Sequence, residues 1–213
     1  MTTIAEGTPD TGSPFRDELC RRAIDHFGRF GFDETMLEMS IATDTDVETL
    51  TECFGSIEGM RAACDDYLQA TVAAAKTESL VNPDPSSWAT HIADIEAYVP
   101  LVRYLVRSLE LDDAAGKALL QRMTDNAELY MEAAVKAGTV RPSRDPKGRA
   151  RFLAMFGGGG LLLYRRMHAT PDDIAAVLRD YVRELLVPAL ELYTYGLLTD
   201  DSMFRALAGE ATA

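Results

Sequence analysis

Apolar residues recur every three or four positions along nearly the whole chain, and no stretch alternates strictly between β-branched and polar residues. That spacing places the apolar groups on one face of a helix, so the pattern predicts an all-α protein. Leu19, Ala23, Ile24, Phe27 and Phe30 share a face of a helix over Phe15–Phe30, which Gly31 closes. A short helix is expected over Glu34–Ala42 with Met36, Leu37, Met39 and Ile41 as candidate core, then a turn over Thr43–Asp46. Asp46 is a plausible N-cap for a third helix, Val47–Phe54. Ser56 opens a long helix to about Leu80, striped by Met60, Ala63, Tyr67, Leu68 and Val72.

The run Asn82-Pro83-Asp84-Pro85-Ser86-Ser87 is the clearest break. Helices follow over Trp88–Ala97 and Val99–Leu109, parted near Pro100, and over Asp112–Ala137, closed by Gly138. Another is expected over Lys147–Met167. Thr170-Pro171 reads as a helix start, with the helix running to about Leu198 and bending at Pro188. Ser202–Leu207 forms a short tail helix. Met1–Pro14, polar and carrying Gly, Thr, Pro and Asp, is expected to be a disordered tail.

A chain of 213 residues can bury a sizeable core, and 47% hydrophobic with 26% charged residues is ordinary for a soluble protein. Net charge of −13 and a pI near 4.6 argue against non-specific attraction to nucleic acid or to an anionic membrane. No apolar run reaches the roughly 18 residues that span a bilayer, so no membrane partner is expected. Cys20, Cys53 and Cys64 are odd in number, lack metal spacing and suit a reducing cytoplasm.

His26, His91 and His168 are scattered, with no partner at metal-ligand spacing. Neither a nucleophile elbow nor a phosphate loop occurs, so no metal, no cofactor and no enzymatic activity are expected. Gly157-Gly158-Gly159-Gly160 has helical flanks and no following Lys-Ser/Thr. It reads as a small-residue helix face that lets a second helix approach, or that opens space for a ligand.

Three short helices, a long linker helix and a larger bundle is the layout of the TetR family of bacterial transcription regulators, and specific residues carry the resemblance. His26-Phe27 followed by Gly31-Phe32-Asp33-Glu34-Thr35 resembles the family's passage from helix 1 to helix 2. Phe54-Gly55-Ser56-Ile57-Glu58-Gly59-Met60 is similar to its Phe-Gly-Ser-Lys-Glu-Gly-Leu stretch. Leu190-Glu191-Leu192-Tyr193-Thr194-Tyr195-Gly196-Leu197 resembles the last helix of actinobacterial members. The resemblance implies a helix-turn-helix unit over 15–60 and a ligand-binding and dimerisation bundle over 61–213.

The same resemblance implies a homodimer that senses a small apolar ligand and binds operator DNA. An interface would form on the last two long helices, around Gly157–Gly160, Leu186, Leu190 and Tyr193. A pocket would draw on Trp88, Tyr98, Tyr104, Arg107, Met123, Tyr130, Phe152 and Phe156. For DNA, Arg16, Arg21, Arg22, Thr35, Thr45, Thr49 and Thr51 are the polar groups left to meet phosphate or base.

Charge contradicts that last expectation. Asp33 to Met60 contains eight acids (Asp33, Glu34, Glu38, Asp44, Asp46, Glu48, Glu52, Glu58) and no Lys, Arg or His. Most of the affinity of a major-groove helix comes from neutralising phosphates, which carboxylates repel. Where the family has a phosphate-contacting lysine, this chain has Ile57; where it commonly has tyrosine, this chain has Thr51. Glu48 and Glu52 likewise stand where other members carry uncharged or basic groups. An acid can still accept from a cytosine amino group, and a helix N-terminus favours one, but neither effect supplies the missing cations. The alternative is a protein of this fold that no longer holds DNA and acts through its acidic face on a basic protein partner. Residues 141–183 carry nine basic groups against four acids, so the rear of a second molecule could also offer such a surface.

Overall fold

The computed structural model describes residues 14–111 and 113–209, apart from the side chains of Ser87, Trp88, Ala89 and His91. The expected tail therefore lies outside the described residues, save Pro14, which begins the first helix. The described residues form only helices: α1 (Pro14–Phe30), α2 (Met36–Thr43), α3 (Val47–Phe54), α4 (Ile57–Val81), α5 (Pro85–Ala93), a 3-10 turn (Ile95–Tyr98), α6 (Val99–Glu110), α7 (Ala114–Ala137), α8 (Pro146–Met167), α9 (Ile174–Tyr195) and α10 (Ser202–Leu207).

Local chemistry fixes most boundaries. Gly31, at φ +110°, ends α1 and donates its N–H to Phe27 O at 2.9 Å. Thr35 and Glu38 form a reciprocal capping box, so α2 begins at Met36 and not at Glu34. Asp46 accepts from the Thr49 N–H at 2.8 Å and opens α3; Ser56 accepts from the Gly59 N–H and opens α4.

Leu37 and Ile41, expected in the core, are exposed. An eight-residue helix turns one face inward, and Met36, Met39 and Thr43 occupy it. The helix expected over Trp88–Ala97 ends at Ala93 and passes into the 3-10 turn, and Pro100 lies in the first turn of α6. The last long helix starts later than Thr170-Pro171 implies. The Thr170 N–H is spent on His168 Nδ1 at 3.1 Å, and Asp173 is the residue that caps, accepting from Ala176 N at 3.0 Å.

One buried cluster joins Leu19, Ile24 and Phe27 of α1, Met39 of α2, Leu50 of α3 and Met60 and Leu68 of α4 to Tyr104 of α6 and Leu119 of α7. Each fully buried Leu, Ile, Met or Phe contributes roughly 1.5–3 kcal/mol. The core thus runs straight across the position near Met60 where the sequence marks a division. At the crossing of α1 and α6, a Cβ on Gly28 would stand 3.2 Å from the backbone nitrogen of Tyr104, so glycine permits that close approach. Between α7 and α8 a smaller cluster of Ala127, Ala150 and Ala154, with Tyr130 beside it, lets the two helices pack tightly.

Candidate functional site

The helix-turn-helix unit presents an acidic surface whose neighbouring cations are already engaged. Glu48, Thr51 and Glu52 are exposed on α3, with the two carboxylates one turn apart. Arg22 donates to the carbonyl of Thr43 at 2.8 Å, closing α2, and to Glu18. Arg21 pairs with Glu18 and Arg29 with Asp25, while the Arg16 guanidinium stands 5.2 Å over the Phe54 ring. The threonine hydroxyls are also spent locally: Thr35 on Glu38, Thr45 on Thr43 O, Thr49 on Asp46 and Thr51 on Val47 O.

Some of the acids have structural duties. Glu34 faces His26 at 3.1 Å, and Glu38, Asp46 and Glu58 serve the starts of α2, α3 and α4. Hydrogen bonds from the Thr35 backbone to Glu38, from the Thr49 backbone to Asp46 and from the Ser56 hydroxyl to Glu58 hold these carboxyls below their ordinary range. Asp33, Glu48 and Glu52 are exposed and cap nothing, whereas the exposed Asp44 closes α2 through its backbone in the left-handed conformation, at φ +52°. Ile57, at the lysine position of the resemblance, packs partly buried against the core of this unit.

Behind the head, a polar cluster links α4 to α6 and α7. Tyr104 donates to Asp65 Oδ1 at 2.7 Å, and Arg122 of α7 approaches Asp65 Oδ2 at 3.4 Å. Arg61 pairs with Asp113, the cap of α7, at 2.8 Å and lies 3.9 Å over the ring of Phe32. Burial raises the Asp65 carboxyl above its ordinary range, against the lowering effect of Tyr104 and the two arginines.

The residues expected to line one pocket are dispersed. Tyr104 belongs to this junction, and Arg107 donates to the carbonyls of Gly28 and Arg29 at the end of α1. Tyr98 lies in the 3-10 turn, whereas Met123 and Tyr130 are half-buried on α7. The side chain of Trp88 lies outside the described residues. Phe152 and Phe156 are 61% and 56% exposed and stack at 5.7 Å, because Ala150 and Ala154 are the α8 residues turned inward.

An open cavity of about 430 Å³ lies elsewhere, where α5 and the 3-10 turn face α9, with Ile92, Ile95 and Val182 beside Glu96, Arg179, Asp180 and Arg183. Its charged groups are paired, Glu96 with Arg179 and Asp180 with Arg183, and Asp180 also meets His168 from outside the cavity. Helical spacing puts Arg179, Val182 and Arg183 on one side of α9, but nothing in the sequence pairs that side with α5. The cavity therefore has no signature in the sequence.

The outer faces of α8 and α9 carry the largest concentration of uncovered apolar groups. Phe152, Phe156, Leu163 and Met167 follow one another along α8, and Leu185, Leu190 and Tyr193 stand on α9. The glycine run divides between two sides. A Cβ at Gly157 or Gly159 would meet nothing within 4 Å, whereas at Gly158 it would touch Leu109 and Met123 and at Gly160 the Tyr181 hydroxyl. Leu186 is half-buried on α9.

Among the described residues, no cluster of His, Cys, Asp and Glu could hold a metal ion, and no helix is long and apolar enough to cross a membrane. Residues 96–199 match the family described as Tetracyclin repressor-like, C-terminal domain. Over 189 residues, covering 89% of each chain, the protein is 47% identical to the HTH-type transcriptional regulatory protein RaaS of Mycobacterium tuberculosis.

Proposed function

Because the chain belongs to the TetR family of transcriptional regulators, we propose that it regulates transcription as a homodimer built on α8 and α9 and responds to a small apolar ligand. The uncovered stripe of Phe152, Phe156, Leu163, Leu190 and Tyr193 carries this reading. A two-fold axis would lay the stripe against its own copy, burying it in a self-complementary interface. Residues 15–60 form the reading unit in this account, and 61–213 the sensing and dimerising bundle. A ligand that shifts α6 against α4 would change the spacing of the two heads through the Tyr104–Asp65 junction. Size-exclusion chromatography with light scattering tests the assembly: a dimer is expected, and a monomer at micromolar concentration would refute it.

A second reading is favoured by one observation, the exposed Glu48 and Glu52 on α3 with the arginines of α1 engaged internally. Here the head does not hold DNA by itself and acts on transcription through another protein. Binding of the full-length protein to duplex DNA from its own upstream region, measured at low salt, separates the two readings.

A further inference from the structure

The outer face of α2 and α3 is apolar as well as acidic. Leu37 and Ile41 are 65% and 77% exposed and stand one turn apart on α2, and Val47 at the start of α3 is also uncovered. Glu38 and Asp44 flank the α2 pair, and Glu48 and Glu52 are exposed on α3. Two large apolar groups left in water at i and i+4, on a helix too short to bury a second face, form an anchor for another polypeptide. The carboxylates repel both nucleic acid and an anionic lipid surface, so charge decides what can cover this face.

We infer that the α2–α3 face docks a cationic amphipathic helix of a partner protein, its apolar side on Leu37 and Ile41 and its Lys or Arg side chains against Glu48, Glu52 and Asp44. This rests on the second reading above and gives its partner a chemistry. Apolar contact supplies the anchor, and charge complementarity selects against acidic and neutral helices and speeds encounter.

The test uses the full-length protein and a fluorescein-labelled synthetic helix with leucines along one face and lysines along the other. A peptide of the same composition in scrambled order, and one with glutamate for lysine, serve as controls. The amphipathic cation should bind saturably, one per protomer, and salt should weaken it. Scrambling should weaken it at least about tenfold, as should Leu37→Ser with Ile41→Ser and, separately, Glu48→Gln with Glu52→Gln. All four positions are exposed, and circular dichroism checks that the fold is kept.

Equal binding of the scrambled peptide would reduce the effect to indiscriminate attraction of a polycation and overturn the inference. So would binding untouched by both double variants, or self-association of the protein that Leu37→Ser with Ile41→Ser abolishes, since a second copy would then be the occupant. DNA binding is measured alongside. Peptide failure with DNA silent sinks this inference and leaves the protein-contact reading standing, whereas specific DNA binding sinks that reading itself.

Discussion

Tyr104 donates its phenolic proton to Asp65 Oδ1 across 2.7 Å, with both side chains buried. The bond ties α6 to α4. The same tyrosine ring meets Phe32 edge-on at 5.4 Å and lies near Phe27, so one residue of α6 touches both the linker helix and the head. Arg61 repeats the pattern from the other direction, reaching Asp113 at the start of α7 while covering the Phe32 ring. The bundle and the head therefore meet through these contacts.

Tyr104→Phe keeps the ring and removes the donor, leaving a buried carboxylate with only the long contact to Arg122. The cost should be about 1–3 kcal/mol of unfolding free energy, read from urea denaturation. A change below a few tenths would show that water serves Asp65 equally well.

Stability should carry an unusual pH signature from Asp65. Its carboxyl is raised in the folded state, chiefly by burial, so the folded protein holds that proton more tightly than the unfolded chain. The ionised form is therefore a penalty that grows as pH rises from the ordinary aspartate range through the raised value. Asp65→Asn should flatten the pH dependence over that interval when stability is followed from pH 4 upward. An unchanged slope would contradict the assignment.

Ile57→Lys places a charge where a half-buried side chain packs on the core of the head. The melting temperature should drop, and phosphate attraction should rise little while Glu48 and Glu52 remain. Combining it with Glu48→Gln and Glu52→Gln should raise affinity for duplex DNA well beyond the single change, as read by fluorescence anisotropy.

Gly159→Leu adds a side chain where a Cβ would meet nothing within 4 Å. Helix propensity favours it by about 1 kcal/mol, so the monomer should not unfold. The dimer should weaken at least about tenfold if the glycines face the partner. Sedimentation equilibrium reads both, and an unaltered dimer constant would move the interface away from this stretch.

Much of the fold is legible in the sequence because caps and periodicity are local. Gly31, Asp46, Ser56 and Gly138 each end or open a helix where expected. What was not legible depends on which side of a helix meets a neighbour. Leu37 and Ile41 fit a core stripe by type, yet Met36 and Met39 took the inward face. Phe152 and Phe156 resemble pocket aromatics, yet the small Ala150 and Ala154 won the close approach to α7. Tyr104 and Arg107 look like ligand groups, but their partners lie about forty and eighty residues away on α4 and α1, beyond any local rule. The charge conflict at the head was visible throughout; the internal engagement of its arginines was not.

If the acidic α3 face repels phosphate, neutralising it should expose that repulsion. Fluorescence anisotropy of the full-length protein and of Glu48→Gln with Glu52→Gln, against upstream duplex and a scrambled duplex at low salt, gives each its best chance of binding. The native protein should not distinguish the two duplexes, and the neutralised variant should bind both more tightly. Sequence-specific binding by the native protein, lost on neutralisation, would contradict it and make the two glutamates base-reading groups.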